Sequence, residues 1–322
     1  MRRGQFITLV GSAAAMLMLS TTAWTQEAGR TYRLGLLAVS TRSVEGFRDV
    51  TLAELAKYGF VEGRNLILDA RIGSADALPA LARELAASMP DAIHAVTNAS
   101  IQAIREATTT LPIVMFGDDP VGQGFAASLA HPGRNITGVT MLAVELDAKR
   151  LQLLHEALPS ARRIAILALP QDTENIREMQ RTALALGIET EVFRVGQASH
   201  YGAAFASMRK GGAQALVITA HSQFFHDGAQ LTALAAEARL PTICEWAEMA
   251  RTGCTIGYGP NLREMRRRVA DYLARILQGT PPSALPIEGP TRFEFAINLK
   301  GARALGMEIP QNLLLRAHEV IE

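Results

Sequence analysis

The chain reads as an α/β protein of two similar three-layer lobes, each a parallel sheet covered by helices on both faces. Three observations predict this. Short unbroken aliphatic runs alternate with longer stretches of helical spacing, the pattern of parallel strands buried on both faces and joined by crossover helices. The alternation runs through one set of units, pauses near Met141–Glu145, and begins again. Most aliphatic runs stop in glycine, hydroxyl, amide or carboxylate residues, and ligands of open α/β sheets bind just beyond such strand ends.

In the first set, Leu34–Val39 is a buried strand, and Gly46–Tyr58 carries Phe47, Val50, Leu55 and Tyr58 at near-helical spacing before a natural stop at Gly59. Asn65–Ile72 is a strand. Asp76–Met89 is a helix with Leu78, Leu81, Leu85 and Met89 on one face. Ala92–Val96 and Ile113–Phe116 are strands on either side of a helix at Ser100–Thr108. After Gly122 and Gly124 the pattern predicts a short apolar helix, a turn at His131–Asn135 and a strand at Ile136–Met141. The second set predicts helices at Leu146–Leu158, Thr173–Gly187, Tyr201–Lys210 and Gly228–Ala238. Its strands are Arg163–Leu169, Glu189–Val195, Ala215–Thr219, Thr242–Glu245 and Thr255–Tyr258. The tail has a strong helix, Leu262–Gln278, then a proline-rich link, a strand at Phe293–Asn298, a helix at Lys300–Leu305 and a turn at Leu313–Leu315.

The 322 residues suit two domains, and 48% hydrophobic against 20% charged residues is ample for packed cores. A formal net charge of +1, from 32 basic and 31 acidic side chains, points to neither nucleic acid nor a membrane surface. The amino terminus differs from the rest. Arg2-Arg3, the apolar Phe6–Leu19 and the small-residue stretch around Ala23 form the pattern of a secretory signal over residues 1–25. The expected location is the periplasm, with the Sec and Tat routes both open. Export permits a disulfide between Cys244 and Cys254, and two buried thiols fit the spacing equally.

The chemistry-bearing candidates sit at strand ends. On the first lobe these are Ser40 and Thr41, Thr97 and Asn98, and Asp118 and Asp119 before Pro120. Hydroxyls and open N–H groups at helix starts receive carboxylates, and also serve as ordinary caps. Asp118 or Asp119 is placed to pair with an ammonium group. The second lobe offers Asp172 with Asn175, His221 and Ser222, Glu245 and Trp246, and Tyr258. Trp246 and Tyr258 are candidates for an apolar pocket wall or for core and hinge packing. A metal role for His221 is not indicated. No dinucleotide fingerprint, P-loop, nucleophile elbow or His-Glu-x-x-His motif is present, so the expectation is a protein that is not an enzyme and needs no cofactor or metal.

Residues Val114–Thr140, VMFGDDPVGQGFAASLAHPGRNITGVT, and Gly257–Glu322, with GYGP, then PTRFEF, then INLK, resemble the periplasmic substrate-binding proteins of ABC transporters. The branch resembled includes tryptophan- and phenylalanine-type binders. Leu55–Ala86 is similar to that family's second strand region, departing from it at Ile72-Gly73-Ser74. The resemblance implies a type I periplasmic-binding fold, with lobe I formed by 31–142 plus 260–322, lobe II by 143–259, and a crossing-strand hinge between them. It implies a monomeric solute-binding component of an importer, closing over a small molecule such as an amino acid and presenting it to a membrane permease. A periplasmic sensory protein acting through a separate receptor is the alternative. The ligand-binding residues it implies are Ser40, Thr41, Thr97, Asn98, Asp118 and Asp119 on one lobe. On the other they are Asp172, His221, Ser222 and Glu245.

Overall fold

The computed structural model describes residues 29–322, and the expected secretory segment, 1–25, lies outside the described residues. The first series comprises β1 (Tyr32–Ala38), α1 (Thr41–Gly46), α2 (Ala53–Lys57), β2 (Leu66–Ile72), α3 (Leu78–Ala87), β3 (Ala92–Val96), α4 (Asn98–Ala107), β4 (Ile113–Gly117) and β5 (Ile136–Thr140). A π-helical stretch, Phe47–Leu52, joins α1 to α2, so the predicted Gly46–Tyr58 helix starts five residues earlier than its apolar spacing indicated. Ser40 supplies the reason. Its hydroxyl accepts from the Ser43 N–H and starts the helix at a polar segment without apolar periodicity.

The second series comprises α5 (Ala143–Ala157), β6 (Arg163–Ala168), α6 (Glu174–Leu186), β7 (Glu189–Arg194), α7 (Tyr201–Lys210), β8 (Ala215–Ile218), α8 (Ser222–His226), α9 (Gly228–Glu237), β9 (Thr242–Cys244), α10 (Ala247–Arg251) and β10 (Ile256–Pro260). The tail adds α11 (Leu262–Leu277), β11 (Ile287–Glu288), β12 (Phe293–Asn298), α12 (Leu299–Ala304), α13 (Gln311–Arg316) and β13 (Glu319–Ile321).

These strands form two sheets, mostly parallel, with helices on both sides. The first runs β11-β5-β4-β3-β1-β2 and the second β13-β12-β10-β9-β8-β6-β7. Among the described strands the β10–β12 pairing alone is antiparallel, setting Tyr258 of β10 opposite Phe295 of β12. The central strands are buried along their whole length, as in β4 and β8, which explains the unbroken aliphatic runs. The α11 helix places Val269 and Leu273 in the same apolar cluster as Leu34, Val114 and Phe116 of the first sheet.

Two expectations are corrected. The tail does not belong as a whole with the first sheet. Its α11 and β11 do, but β12 and β13 join the second sheet, because Phe295, Ile297, Met307 and Leu313 bury against Ile243 and Ile256. The chain therefore passes between sheets three times: after β5, after β10 and after β11. The segment from Phe125 to Ala130 is loop and not a short helix. There the Pro120 oxygen accepts from both Phe125 N and Ala126 N, and the Phe125 side chain is buried, which fixes a tight loop.

Candidate functional site

The ends of β3, β4 and β5 are each followed within two residues by a non-glycine residue in left-handed backbone: Thr97 (φ 83°), Asp119 (φ 42°) and Leu142 (φ 55°). Such conformations are costly for these residue types and cluster at functional sites. Thr97 caps α4, its hydroxyl accepting a long bond from Ser100 N at 3.5 Å. Asn98 reaches sideways, its Oδ1 accepting from Asp118 N at 2.8 Å and so fixing where β4 ends. Gly117 leaves the room for this, since a Cβ there would lie 2.6 Å from that same oxygen. Ser40 caps α1, and Thr41 is its exposed first residue.

The adjacent aspartates separate. Asp118 is half-buried at the strand end, while Asp119 is exposed and accepts from Gly122 N at 2.9 Å to close the turn. Nearby at the end of β5, the Thr140 hydroxyl is buried and makes no hydrogen bond.

The second sheet's strand ends hold a denser polar network. Asp172 Oδ2 accepts from Leu169 N at 2.9 Å and from His221 Nε2 at 2.7 Å. Burial works against the His221 imidazolium. The hydrogen bond and charge of Asp172, with Asp147 and Glu245 beyond, nevertheless hold its pKa above the ordinary histidine value. Beneath lies a fully buried ion pair, Arg150 Nη1 to Asp147 Oδ1 at 2.7 Å. Asn175 Nδ2 donates to the other Asp147 oxygen at 3.1 Å, and Ala220 N also approaches Asp147. The guanidinium then donates to two main-chain oxygens, Tyr258 at 2.8 Å and Glu245 at 3.3 Å. One arginine of α5 thus ties together the ends of β9 and β10.

Glycines permit this close approach. A Cβ at Gly259 would meet the Glu245 oxygen at 2.0 Å, and one at Gly257 the Trp246 oxygen at 2.3 Å. Trp246 is buried and packs edge-on against Phe225. Tyr258 stacks on Phe293, and Ser222 is exposed at the first turn of α8. Cys244 and Cys254 form a disulfide across the segment that carries Glu245, Trp246 and α10.

The two sets of strand ends are close neighbours. Arg42 of α1 donates to the Phe225 oxygen of α8 at 2.9 Å and lies over its ring. Asp118 is near enough to Glu245 to act on its ionisation. The Glu245 carboxyl, 5% exposed, is pushed up to about 7, first by burial and then by Asp147 and Asp118, against the pull of Arg150 and His221. Most of the expected residues thus lie at neighbouring strand ends of the two sheets, with Asp119, Thr41 and Ser222 at the exposed margin, Tyr258 within β10 and Trp246 buried. A surface cavity of about 340 Å³ lies elsewhere, beside α11 and the crossings, lined by Glu54, Tyr58, Arg268, Asp271, Glu288 and Arg292. It contains none of the expected residues, and its crossed ion pairs already satisfy one another.

Sequence reasoning missed Asp147 and Arg150, which α5 hides as an ordinary i, i+3 charge pair of the kind common on solvated faces. Their signal was placement, since both sit among Leu146, Leu151 and Leu154 on a helix whose apolar face is buried.

A family model described as ABC transporter substrate binding protein matches residues 38–321. A tyrosine-binding protein of Clostridioides difficile strain R20291 is 22% identical over 256 residues, 78% of this chain and 73% of that protein. Among solved structures, a conserved domain protein from Vibrio cholerae superposes with a TM-score of 0.84 at 23% identity, covering 90% of this chain and 100% of that one. An ABC domain from Streptococcus pneumoniae in complex with L-Trp superposes with a TM-score of 0.83 at 20% identity and the same coverage. These structures share the fold, and the match over nearly the whole described chain establishes membership: the protein belongs to the ABC transporter substrate-binding family.

Proposed function

We propose that this protein is the extracytoplasmic solute-binding component of an ABC importer, which closes two α/β lobes over an amino acid or closely related compound and delivers it to a membrane permease. The observation that carries the reading is the facing of polar strand ends from both sheets, bridged by Arg42 and Phe225. A solute held there touches both lobes, so its binding energy favours the closed arrangement, and a permease can read closure. The lobes proposed are the first-sheet elements with α11 and β11, and the second-sheet elements with β12 and β13.

Within the site, Ser40, Thr97 and Asn98 offer hydroxyl, amide and helix-start N–H groups to a carboxylate, with Thr41 at the margin. Asp118 and Glu245 face a positive group. Asp172 and His221 form the opposite polar wall, and Trp246 and Tyr258 supply apolar surface behind it. Asp119 and Ser222 act at the rim. The relative named as a tyrosine-binding protein and the similar structure in complex with L-Trp support an aromatic amino acid within this class.

The deciding experiment is a thermal-shift panel of amino acids, purines, sugars and small carboxylates, with native mass spectrometry for a co-purified solute. At a hundredfold excess over Kd, a true ligand stabilises by about 2.7 kcal/mol. No shift from any compound and no retained solute would count against the reading. Co-purification with an ABC permease in the presence of ligand tests the delivery step.

A further inference from the structure

We infer that Glu245 is the group that admits a ligand's positive charge, so that an ammonium group entering the cleft replaces a proton on this carboxyl. The inference rests on the proposed solute-binding reading and specifies the chemistry its ligand must carry.

Glu245 stands alone among the acidic groups of the site. Asp172 is engaged by Leu169 N and His221, and Asp147 by Arg150 and Asn175. The Glu245 residue is 5% exposed, yet among the described residues no side chain hydrogen-bonds or ion-pairs with its carboxyl. Arg150, which touches the Glu245 main chain, spends its Nε, Nη1 and Nη2 on the Tyr258 oxygen, Asp147 and the main-chain oxygen of Glu245. That last bond fixes the Glu245 backbone and leaves its carboxyl without a donor.

A buried carboxyl in this position is costly to ionise without a partner. The groups acting on it are Arg150 and Asp147 from α5, His221 from the start of α8, and Asp118 from the end of β4. The two acids oppose its ionisation and the two bases favour it, and burial outweighs both. In the unliganded protein it therefore holds a proton up to near neutral pH. A ligand ammonium supplies both the charge and the three donors that the carboxyl lacks. Asp118, on the opposing sheet, acts on the same point, so the cation is held between lobes. Carboxyl proton out, ammonium in: the net charge of the cleft is unchanged by the exchange.

Two consequences separate this from a merely packed glutamate. Zwitterionic or cationic solutes bind in preference to the same skeleton without its amine, and binding below about pH 7 releases a proton. The test is a thermal-shift panel of the twenty L-amino acids, glucose and simple carboxylates. Titration calorimetry then follows on the tightest binder and its des-amino analogue, at pH 5.5, 6.5, 7.5 and 8.5, in two buffers of different ionisation heat. Wild type should gain about tenfold in affinity per pH unit below about 7 and level off above it, releasing close to one proton in the acid range. Glu245→Gln should bind about 10- to 100-fold more weakly at pH 8.5, with that slope and proton release removed.

An unchanged pH slope in Glu245→Gln overturns the inference, as does preferential binding of the des-amino analogue or of a neutral sugar. The solute-binding reading survives both results. Absence of any stabilising compound overturns that reading itself.

Discussion

Arg42 Nη1 donates to the main-chain oxygen of Phe225 at 2.9 Å while its guanidinium carbon lies 4.8 Å from the centre of the Phe225 ring. The two residues are 183 apart in sequence, one following the first strand of the first sheet and the other following β8 of the second. Their contact spans the mouth between facing strand ends. An exposed contact of this kind contributes about 0.5–1 kcal/mol, which is enough to bias an equilibrium between arrangements of similar energy.

Replacing Arg42 with alanine is expected to weaken ligand binding about two- to fivefold, with a loss of folding stability no larger than about 1 kcal/mol. The radius of gyration of the unliganded variant, measured by small-angle scattering, should rise towards that of an open form. Equal scattering curves and equal affinities would show that the contact does not hold the mouth.

Arg150 makes the opposite kind of contribution, deep and structural. Its guanidinium is fully buried, neutralises Asp147 and holds two strand-end carbonyls. Arg150→Met removes all of these and strands a buried carboxylate, a change that typically costs 3–5 kcal/mol in total. The double variant Arg150→Met with Asp147→Leu should recover part of that loss, because no uncompensated charge remains. Chemical denaturation midpoints of the wild type, both single variants and the double variant complete the cycle. Full additivity would mean that the pair is not coupled.

The contrast between these two arginines shows what the sequence can carry. Strands were legible because central parallel strands are buried on both faces and leave unbroken runs such as IVMF and ALVI. Strand-end candidates were legible because helix starts require polar caps. The fate of β12 was not, since Phe293–Asn298 has the apolar pattern of a strand whichever sheet receives it. Its partner was decided by the antiparallel pairing of Tyr258 with Phe295, a contact 37 positions away (295 − 258). Nor was the division of labour in Asp118-Asp119 legible. A left-handed φ at Asp119 turns its side chain onto the following turn and leaves its neighbour at the strand end. Arg150 was invisible for a similar reason, as a charge pair three residues apart looks the same in solvent and in a core.

The Cys244–Cys254 disulfide closes a ten-residue separation around Glu245, Trp246 and α10. A loop of that size contributes roughly 2–3 kcal/mol by restricting the unfolded chain. Reduction, or replacement of both cysteines with serine, is expected to lower the melting temperature by several degrees and to weaken ligand binding as the Glu245–Trp246 segment loosens. A reduced protein with unchanged affinity would place the effect on stability alone.

The acid stability profile carries a compensation between two buried groups. His94, stacked on Phe47 and donating through Nδ1 to the Val114 oxygen, is held neutral by burial, with its pKa down to about 4. The unfolded histidine takes up a proton near pH 6.5, so folding loses stability as pH falls from about 6.5 towards 4. Glu245 has the opposite sign. Its folded carboxyl keeps a proton up to about pH 7, whereas the unfolded one loses it near 4.5, so stability falls as pH rises through that interval. Each slope is at most about 1.4 kcal/mol per pH unit, and over the shared window they offset one another. Between pH 5 and 6.5 these two contributions to the unliganded wild type should therefore cancel. Glu245→Gln removes one arm: relative to wild type it should be more stable at pH 8 and lose that advantage as pH falls to 5. His94→Asn keeps a donor for Val114 and removes the other arm, so relative to wild type its stability should fall as pH rises from 4.5 to 6.5, whatever constant loss the smaller side chain causes. Melting temperatures of all three proteins across pH 4.5–8 decide the matter. A constant offset between Glu245→Gln and wild type across that range would show that Glu245 does not titrate there.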